Sequence, residues 1–370
     1  MHDPFAFGDQ FGPAQVIHVQ IPKLGLKGVL VVDNVAAGPS IGGLRMATDV
    51  SAEECFRLAR AMTLKNAAAG LPHGGGKSVL MGDPRMPIAQ KEQWIRGFAA
   101  SLGDNQHYIF GPDMGTNEQC MAWVKDEIGR SVGLPREVGG IPLDDIGATG
   151  FGLARATEIA CGRIGLDLKG ARVAIQGYGA VGRHSARFLA ERGAVIVAAS
   201  DSRGTIMDAK GLDLAALNAI KAAGKSVAEA KGASRGSVDD ILDVACDIWI
   251  PAARPDVVRA DNVDRLKTRL VVQGANIPIT VEAERFLAER GVLVIPDFIA
   301  NAGGVICAAM EYIGASQSAA LAAIDEKISR NVEEVLFNAE KNKVLPREAA
   351  HSLAIARVKR AMETRRWGIV

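Results

Sequence analysis

The sequence predicts an α/β protein of two domains, and three observations carry that prediction. At 370 residues the chain is too long for one ordinary core, because single cores stop growing at roughly 250–300 residues. The compact run Ala171–Gln176 leads into Gly177-Tyr178-Gly179-Ala180-Val181-Gly182 and then the helical stretch HSARFLAERG. That strand–glycine–helix order is the start of a Rossmann-like dinucleotide-binding unit. Upstream, VIHVQI and GVLVVDNV, within residues 16–35, read as a hairpin-like strand pair that begins a separate sheet.

Composition narrows the function classes. Hydrophobic residues at 48% with charged residues at 23% describe a globular chain. The formal net charge is +1, from 43 basic and 42 acidic residues, so no footprint for nucleic acid or an anionic membrane is expected. The opening MHDPFAFGDQFG has neither the basic nor the apolar segment of a secretory leader. No stretch is apolar for the length of a membrane span. The five cysteines stand singly and the six histidines are dispersed, which predicts a cytoplasmic protein without a metal site.

In the first domain, Gly42 and Gly43 follow Ile41 in a stretch whose paired glycines read as a bulge or turn. Ser51-Ala-Glu-Glu54 has the capping-box pattern and should start a helix. Leu58, Ala61, Met62 and Lys65 then fall at i, i+3, i+4 and i+7, which predicts a buried stripe with Lys65 on it. Gly70-Leu71-Pro72 ends that helix, and Gly74-Gly75-Gly76-Lys77 follows at once. The spacing is not that of a phosphate-binding P-loop, because G-x-x-x-x-G-K-[ST] is absent and Ser78–Met81 reads as a strand. Two lysines around glycines suggest instead a pocket for a small carboxylate with proton chemistry beside it. Further on, YIFGPDMGTNE is a strand running into a turn that carries Asp113. Residues 129–147 are dense in Gly and Pro and read as the way out of the domain. Thr149 is a candidate N-cap for the helix after it.

In the second domain, Ala194–Ser200 is a second strand, and Asp201 stands about twenty residues past the glycines, where an acid binds the adenosine ribose. Strands are also expected at Cys246–Ile250, Arg269–Gln273 and Val292–Ile295, alternating with helices in right-handed βα units. Ligands bind at the carboxyl ends of such strands. Ala252, Asn276 and Asn301 stand there, the two amides suited to a carboxamide or an amino-acid group. Ser316–Lys341 and Arg347–Thr364 read as two long helices. The domain boundaries expected are 1–145, joined by C-terminal helices from about 325–370 that pack back across a cleft, and 146–324.

Taken together, GGLRM (42–46), MTLKNAAAGLPHGGGK (62–77), GPDMGT (111–116), ATG (148–150), GYGAVG (177–182), SDSRG (200–204), QGANIPIT (273–280) and PDFIANAGGV (296–305) resemble the glutamate/leucine/phenylalanine/valine dehydrogenase family, in the family's order. The resemblance implies reversible oxidative deamination of an L-amino acid to its 2-oxo acid and ammonium, with NAD or NADP. By resemblance, Lys65 binds the substrate carboxylate beside the backbone of Gly42 and Gly43. Lys77 acts on the water that attacks the imine, and Asp113 exchanges protons with the amino group. Asn301 and Val305 lie against the substrate, and Asn276 contacts the nicotinamide carboxamide. Thr149, Gly177, Tyr178, Gly179, Ala180, Val181, Gly182, Asp201, Ser202 and Ala252 make up the rest of the cofactor site. Family members close a cleft between the domains and are homo-oligomers.

Glutamate-specific members carry a lysine before the paired glycines and a serine after NAGGV, where this chain has Ile41 and Ala308. A γ-carboxylate there would meet apolar walls, which costs several kcal/mol without a counter-charge. The expected substrate is therefore a branched-chain or aromatic amino acid, nearer the leucine/phenylalanine type, with glutamate as the alternative. Ala180 stands where members often have Asn. Asp201 favours NAD, although Arg203 could receive the phosphate of NADP. A non-catalytic NAD-sensing relative is the reading from a different class, and the intact Lys65, Lys77 and Asp113 argue against it.

Overall fold

The computed structural model describes residues 7–364 and divides into two units. The first contains β1 (Gln15–Ile21), β2 (Leu26–Asn34), β3 (Ser40–Ala47), α1 (Ala52–Ala68), β4 (Gly75–Met81), α2 (Ile88–Ser101), β5 (Tyr108–Pro112) and α3 (Glu118–Ile128). Its sheet runs β1-β2-β4-β3-β5. The β1–β2 hairpin and the β2–β4 pair are antiparallel, whereas β3 runs parallel to both β4 and β5. Strand β2 is buried on both faces, as its near-continuous apolar run requires. Leu30 and Val32 join Trp94, Ile95, Phe98, Met121 and Val124 from α2 and α3 on one side. Val29 and Val31 join Cys55 and Ala59 of α1 on the other.

Two expectations change here. Gly42 and Gly43 lie inside strand β3 rather than in a turn. A Cβ on Gly42 would sit 1.7 Å from the Gly76 carbonyl oxygen, so glycine marks a close backbone approach within the sheet. The buried face of α1 is Cys55, Ala59, Thr63, Asn66 and Ala67; Leu58, Met62 and Lys65 are half-buried and Ala61 is exposed. The helix rests on the sheet so tightly that a Cβ on Gly75 would come within 1.9 Å of the Thr63 nitrogen. Small and polar residues therefore face the strands, and the apolar period misleads. Ser51 does cap α1, accepting from the Glu54 N–H at 3.1 Å.

The second unit contains α4 (Leu143–Ile146), α5 (Ala148–Arg163), β6 (Arg172–Gln176), α6 (Ala180–Glu191), β7 (Val195–Asp201), β8 (Gly204–Met207), α7 (Leu214–Ala222), β9 (Ser234–Gly236), β10 (Ile248–Pro251), β11 (Leu270–Val272), α8 (Val281–Glu289), β12 (Leu293–Ile295) and α9 (Asp297–Ala300). Its order is β12-β11-β10-β6-β7-β8-β9. The strands from β12 to β7 are parallel, and β8 and β9 add an antiparallel edge that periodicity did not reveal. The chain ends with α10 (Gly303–Tyr312), α11 (Gln317–Asn342) and α12 (Pro346–Thr364).

The C-terminal segments divide differently from the expected boundaries. Among the described residues, 305–320 and 351–364 group with the first unit, and 321–350 with the second. Burial and pairing explain both. Glu311 of α10 accepts from the N–H groups of Leu134 and Ile141. In α11, Ser329 and Asp325 meet Arg155 of α5 at 2.8 and 3.0 Å. All five cysteines are buried. Burial pushes the Cys55, Cys161 and Cys307 thiols up to about 12 and Cys246 up to about 11. Among the described residues no helix is long and apolar enough to cross a membrane.

The α1–β2 contact centres on Asp33, which is fully buried. It accepts from Arg60 Nε and Nη2 at 2.8 and 3.0 Å and from the Thr63 hydroxyl at 2.6 Å. Asp33→Ala leaves Arg60 without its buried partner and should cost about 3–5 kcal/mol. Asp9→Ala removes a half-exposed partner of the same arginine and should cost less than about 1 kcal/mol. Urea unfolding followed by circular dichroism measures both.

Candidate active site

In the first unit the site grows from the parallel trio β4-β3-β5. Gly42 and Gly43 pair with Phe110 and Gly111 of β5. The Tyr108 hydroxyl, fully buried, donates to the Gly42 carbonyl at 2.7 Å. A Cβ on Gly43 would sit 2.8 Å from Asp113 Cβ and 2.9 Å from the Pro112 oxygen. Glycine is thus required for the turn after β5 to fold over the strand. That turn is fixed by Thr116, whose hydroxyl donates to the Leu44 carbonyl at 2.7 Å and accepts from the Asp113 N–H at 3.0 Å.

Lys77, the third residue of β4, ion-pairs through Nζ with Asp113 Oδ2. Both side chains are largely out of solvent, at 8% and 17% exposure. Arg45 Nε lies 3.5 Å from the same oxygen, and its Nη1 donates to Glu54 at 2.6 Å. Burial pushes the Asp113 carboxyl up. The charge and hydrogen bond of Lys77, the Met114 N–H and Arg45 outweigh burial and hold it below its ordinary value. An ammonium and a carboxylate in direct contact form a proton-handling couple. Sequence reasoning found both members but missed Arg45 and Thr116, although both stand inside quoted motifs.

The remaining residues of this unit lie on three elements. Ile41 is buried in β3 beside Gly75. Lys65 is half-buried in the last turn of α1. Val305 and Ala308 lie on α10, half-buried and buried respectively. One turn beyond Ala308, Glu311 accepts from Leu134 and Ile141 at 3.1 and 2.8 Å, and burial pushes its carboxyl above its ordinary value. No sequence signal marked Glu311. Among the described residues no group of three or more His, Cys, Asp or Glu is arranged to hold a metal ion.

The second unit carries the cofactor-type residues. Gly177 has φ +96°, and a Cβ there would meet Ala253 Cβ at 2.6 Å and the Ala252 carbonyl carbon at 2.9 Å. Gly182 lies under it, its own Cβ position 2.0 Å from the Gly177 oxygen. Gly179 and Ala180 are exposed at the N-terminus of α6, which no side chain caps, and Val181 is half-buried behind them. The geometry fits a pyrophosphate, whose charge suits free N–H groups at a helix start.

Tyr178, expected in the cofactor site, is anchored in the core of the unit. Its ring is buried, its N–H donates to the Ser200 carbonyl at 2.7 Å, and its hydroxyl reaches Asn218. Thr149 lies within the first turn of α5, not at the cap. The cap is Gly147, at φ +73°. Ala252 donates its N–H to the Gln176 carbonyl at 2.7 Å. Asn276 is exposed, and Asn301 is buried, donating to Asn276 Oδ1 at 3.0 Å and to the Gly274 carbonyl at 3.3 Å. Asn301 Oδ1 is buried with no partner within the protein, a spare acceptor suited to an amine or amide donor.

Asp201 ends β7 as expected, with Ser202 exposed beside it. Its two oxygens accept from Ser226 Oγ (2.7 Å), Arg203 N (3.0 Å), Val227 N (2.9 Å) and Lys221 Nζ (3.0 Å). The carboxylate therefore also ties down residues 221–227, a task the spacing did not reveal.

A largely parallel sheet with an open glycine turn at a helix start has the form of a dinucleotide-binding unit, and the same chain holds a lysine–aspartate couple largely out of solvent. The chain belongs to the glutamate/leucine/phenylalanine/valine dehydrogenase family: residues 139–366 match the family proper and residues 13–130 its dimerisation domain. It is 38% identical to a glutamate dehydrogenase of Aeropyrum pernix over 90% of this chain and 85% of that one. It is 37% identical to an NADP(+)-dependent glutamate dehydrogenase of Pyrobaculum calidifontis over 96% and 92%. Among solved structures it superposes with TM-score 0.84 on the hetero-hexameric glutamate dehydrogenase of Thermus thermophilus, at 29% identity, covering 95% and 89%. The chain is an amino acid dehydrogenase using NAD or NADP. These relatives act on glutamate, and the leucine-type expectation stays a question of the side-chain pocket.

Burial pushes the Asp201 carboxyl up, but its hydrogen bonds, from Ser226 onward, bring it down to about 2. A carboxyl whose folded value is lowered contributes stability above its ordinary value and loses it as pH falls through the folded one. Asp201→Asn should thus be less stable than wild type at pH 7. The difference should shrink below about pH 4 and vanish near pH 2, as urea midpoints across that range would record.

Proposed function

We propose that this chain catalyses reversible, NAD-dependent oxidative deamination of an L-amino acid with an apolar side chain. The single observation that carries the choice of substrate is the pair Ile41 and Ala308, both apolar and both buried. A side-chain carboxylate held against them would lose its hydration and gain no cation from either. Glutamate is the second reading, favoured by the named relatives.

In this proposal Lys65 and the backbone of Gly42 and Gly43 hold the α-carboxylate. Asp113, kept ionised by Lys77 and Arg45, takes a proton from the substrate ammonium. The bound nicotinamide accepts the hydride from the α-carbon. With Asp113 now neutral, Lys77 releases its own proton to bulk water. Its free amine then removes a proton from the water that attacks the resulting imine, while Asp113 returns its proton to the departing amine. Asn276 orients the carboxamide, Asn301 lies by the amine, and the α6 N-terminus binds the pyrophosphate. NAD is proposed on the carboxylate of Asp201, and a far higher kcat/KM with NADP would overturn that choice. Assembly into a homo-oligomer is proposed on the matched dimerisation domain; the Thermus thermophilus enzyme, a hetero-hexamer, supports assembly as such and not its composition.

The deciding assay follows nicotinamide reduction with each L-amino acid and each cofactor. Turnover of leucine, valine or phenylalanine well above glutamate is expected, and the reverse order sinks the apolar pocket. Ile41→Lys combined with Ala308→Ser should raise kcat/KM for glutamate about tenfold or more, since a buried carboxylate gains a counter-charge. Lys77→Ala should abolish turnover and leave NADH affinity near wild type. A wild-type protein that binds NADH yet turns over no amino acid would favour a sensor.

A further inference from the structure

Arg347, in the first turn of α12, spends its guanidinium inside the second unit. Nε donates to both Glu284 oxygens at 2.9 and 2.8 Å, and Nη2 to Glu284 Oε1 at 2.7 Å and Gln273 Oε1 at 2.9 Å. Nη1 lies 2.9 Å from Asp297 Oδ1, a charge contact rather than an aligned hydrogen bond. Gln273, Glu284 and Asp297 are all buried, so one cation serves two buried carboxylates. Removing that cation would strand both carboxylates at a cost, and the geometry it imposes has a use.

The use is visible one bond further on. Asp297 Oδ2 accepts from the Ile277 N–H at 2.8 Å. Ile277 has φ +43°, a region that a β-branched residue avoids. Pro278 follows it, and the residue before a proline prefers extended backbone. Ile277 is also 55% exposed, so packing does not impose this conformation. Its backbone is held by Asp297 on the N–H and by the Asp256 N–H, which donates to its carbonyl at 3.0 Å. The residue before it is Asn276, whose side chain is held in turn by Asn301.

We propose that Arg347 is a positioning residue for the nicotinamide end of the cofactor site. It fixes Asp297, Asp297 fixes the strained Ile277 turn, and the turn aims the Asn276 amide. This deepens the reading of Asn276 as the carboxamide contact and rests on it.

The test compares two ligands on the full-length protein, NADH and ADP-ribose, which lacks the nicotinamide. Binding is read by NADH fluorescence and by competition. Arg347→Met and Asp297→Ala should each raise the NADH Kd about tenfold while the ADP-ribose Kd stays within about twofold. Adding Ile277→Gly to Asp297→Ala should return NADH affinity toward wild type, because glycine adopts positive φ without strain. Equal weakening of both ligands by Arg347→Met, or no rescue by Ile277→Gly, overturns the proposal. If Arg347→Met does not fold, the Asp297→Ala pair decides alone. Asn276→Ala separates the two levels. If it fails to distinguish NADH from ADP-ribose, the carboxamide reading falls; if it distinguishes them and Arg347→Met and Asp297→Ala do not, only the positioning role falls.

Discussion

The first unit depends on places where one backbone all but touches another. Gly42 meets the Gly76 carbonyl, Gly75 meets the Thr63 backbone, and Gly74 meets the Asn34 carbonyl, each at a separation no Cβ could occupy. These contacts are backbone against backbone, so no side-chain adjustment relieves a substitution. They bring β3 close to β4 and seat α1 directly on the sheet. Lys77 and Asp113 meet because Gly43 leaves the space the Asp113 turn needs. The glycine-rich stretches here are densely packed strand, with Gly42 and Gly43 in β3 and Gly75 and Gly76 in β4.

Charge is handled by the same economy. Asp33, Asp113, Glu284 and Asp297 each face an arginine or lysine where water is scarce. Removing one partner strands the other, which is why such groups are costly to disturb even if their net contribution is small. Glu311 differs in accepting from backbone, the N–H groups of Leu134 and Ile141. Its raised carboxyl value follows from that difference.

Sequence pattern revealed what repeats locally. The glycine turn, its flanking strand and helix, and the parallel strands at the carboxyl ends of which ligands bind are visible because apolar runs and glycines sit next to one another in the chain. Lys77 and Asp113 could be singled out, but their contact could not, since 36 positions separate them. The apolar stripe of α1 misled because the helix lies too near the sheet for large side chains. Strands β8 and β9 were missed because GTIM and SRG are short and at a sheet edge need no continuous apolar run. The grouping of residues 321–350 was illegible because it is decided by ion pairs such as Arg347–Glu284, between distant residues whose match no periodicity records.

The buried cysteines have a consequence of another kind. Thiolate, not thiol, is the form that attacks peroxide, alkylating agents and disulfides. With Cys55, Cys161, Cys246 and Cys307 pushed up to about 11 or 12, fewer than about one sulfur in ten thousand at these positions is ionised at neutral pH. The chain carries sulfur through both cores yet offers little of it to oxidants. In an amino acid dehydrogenase this keeps the protein's own thiols apart from the electron traffic of its nicotinamide.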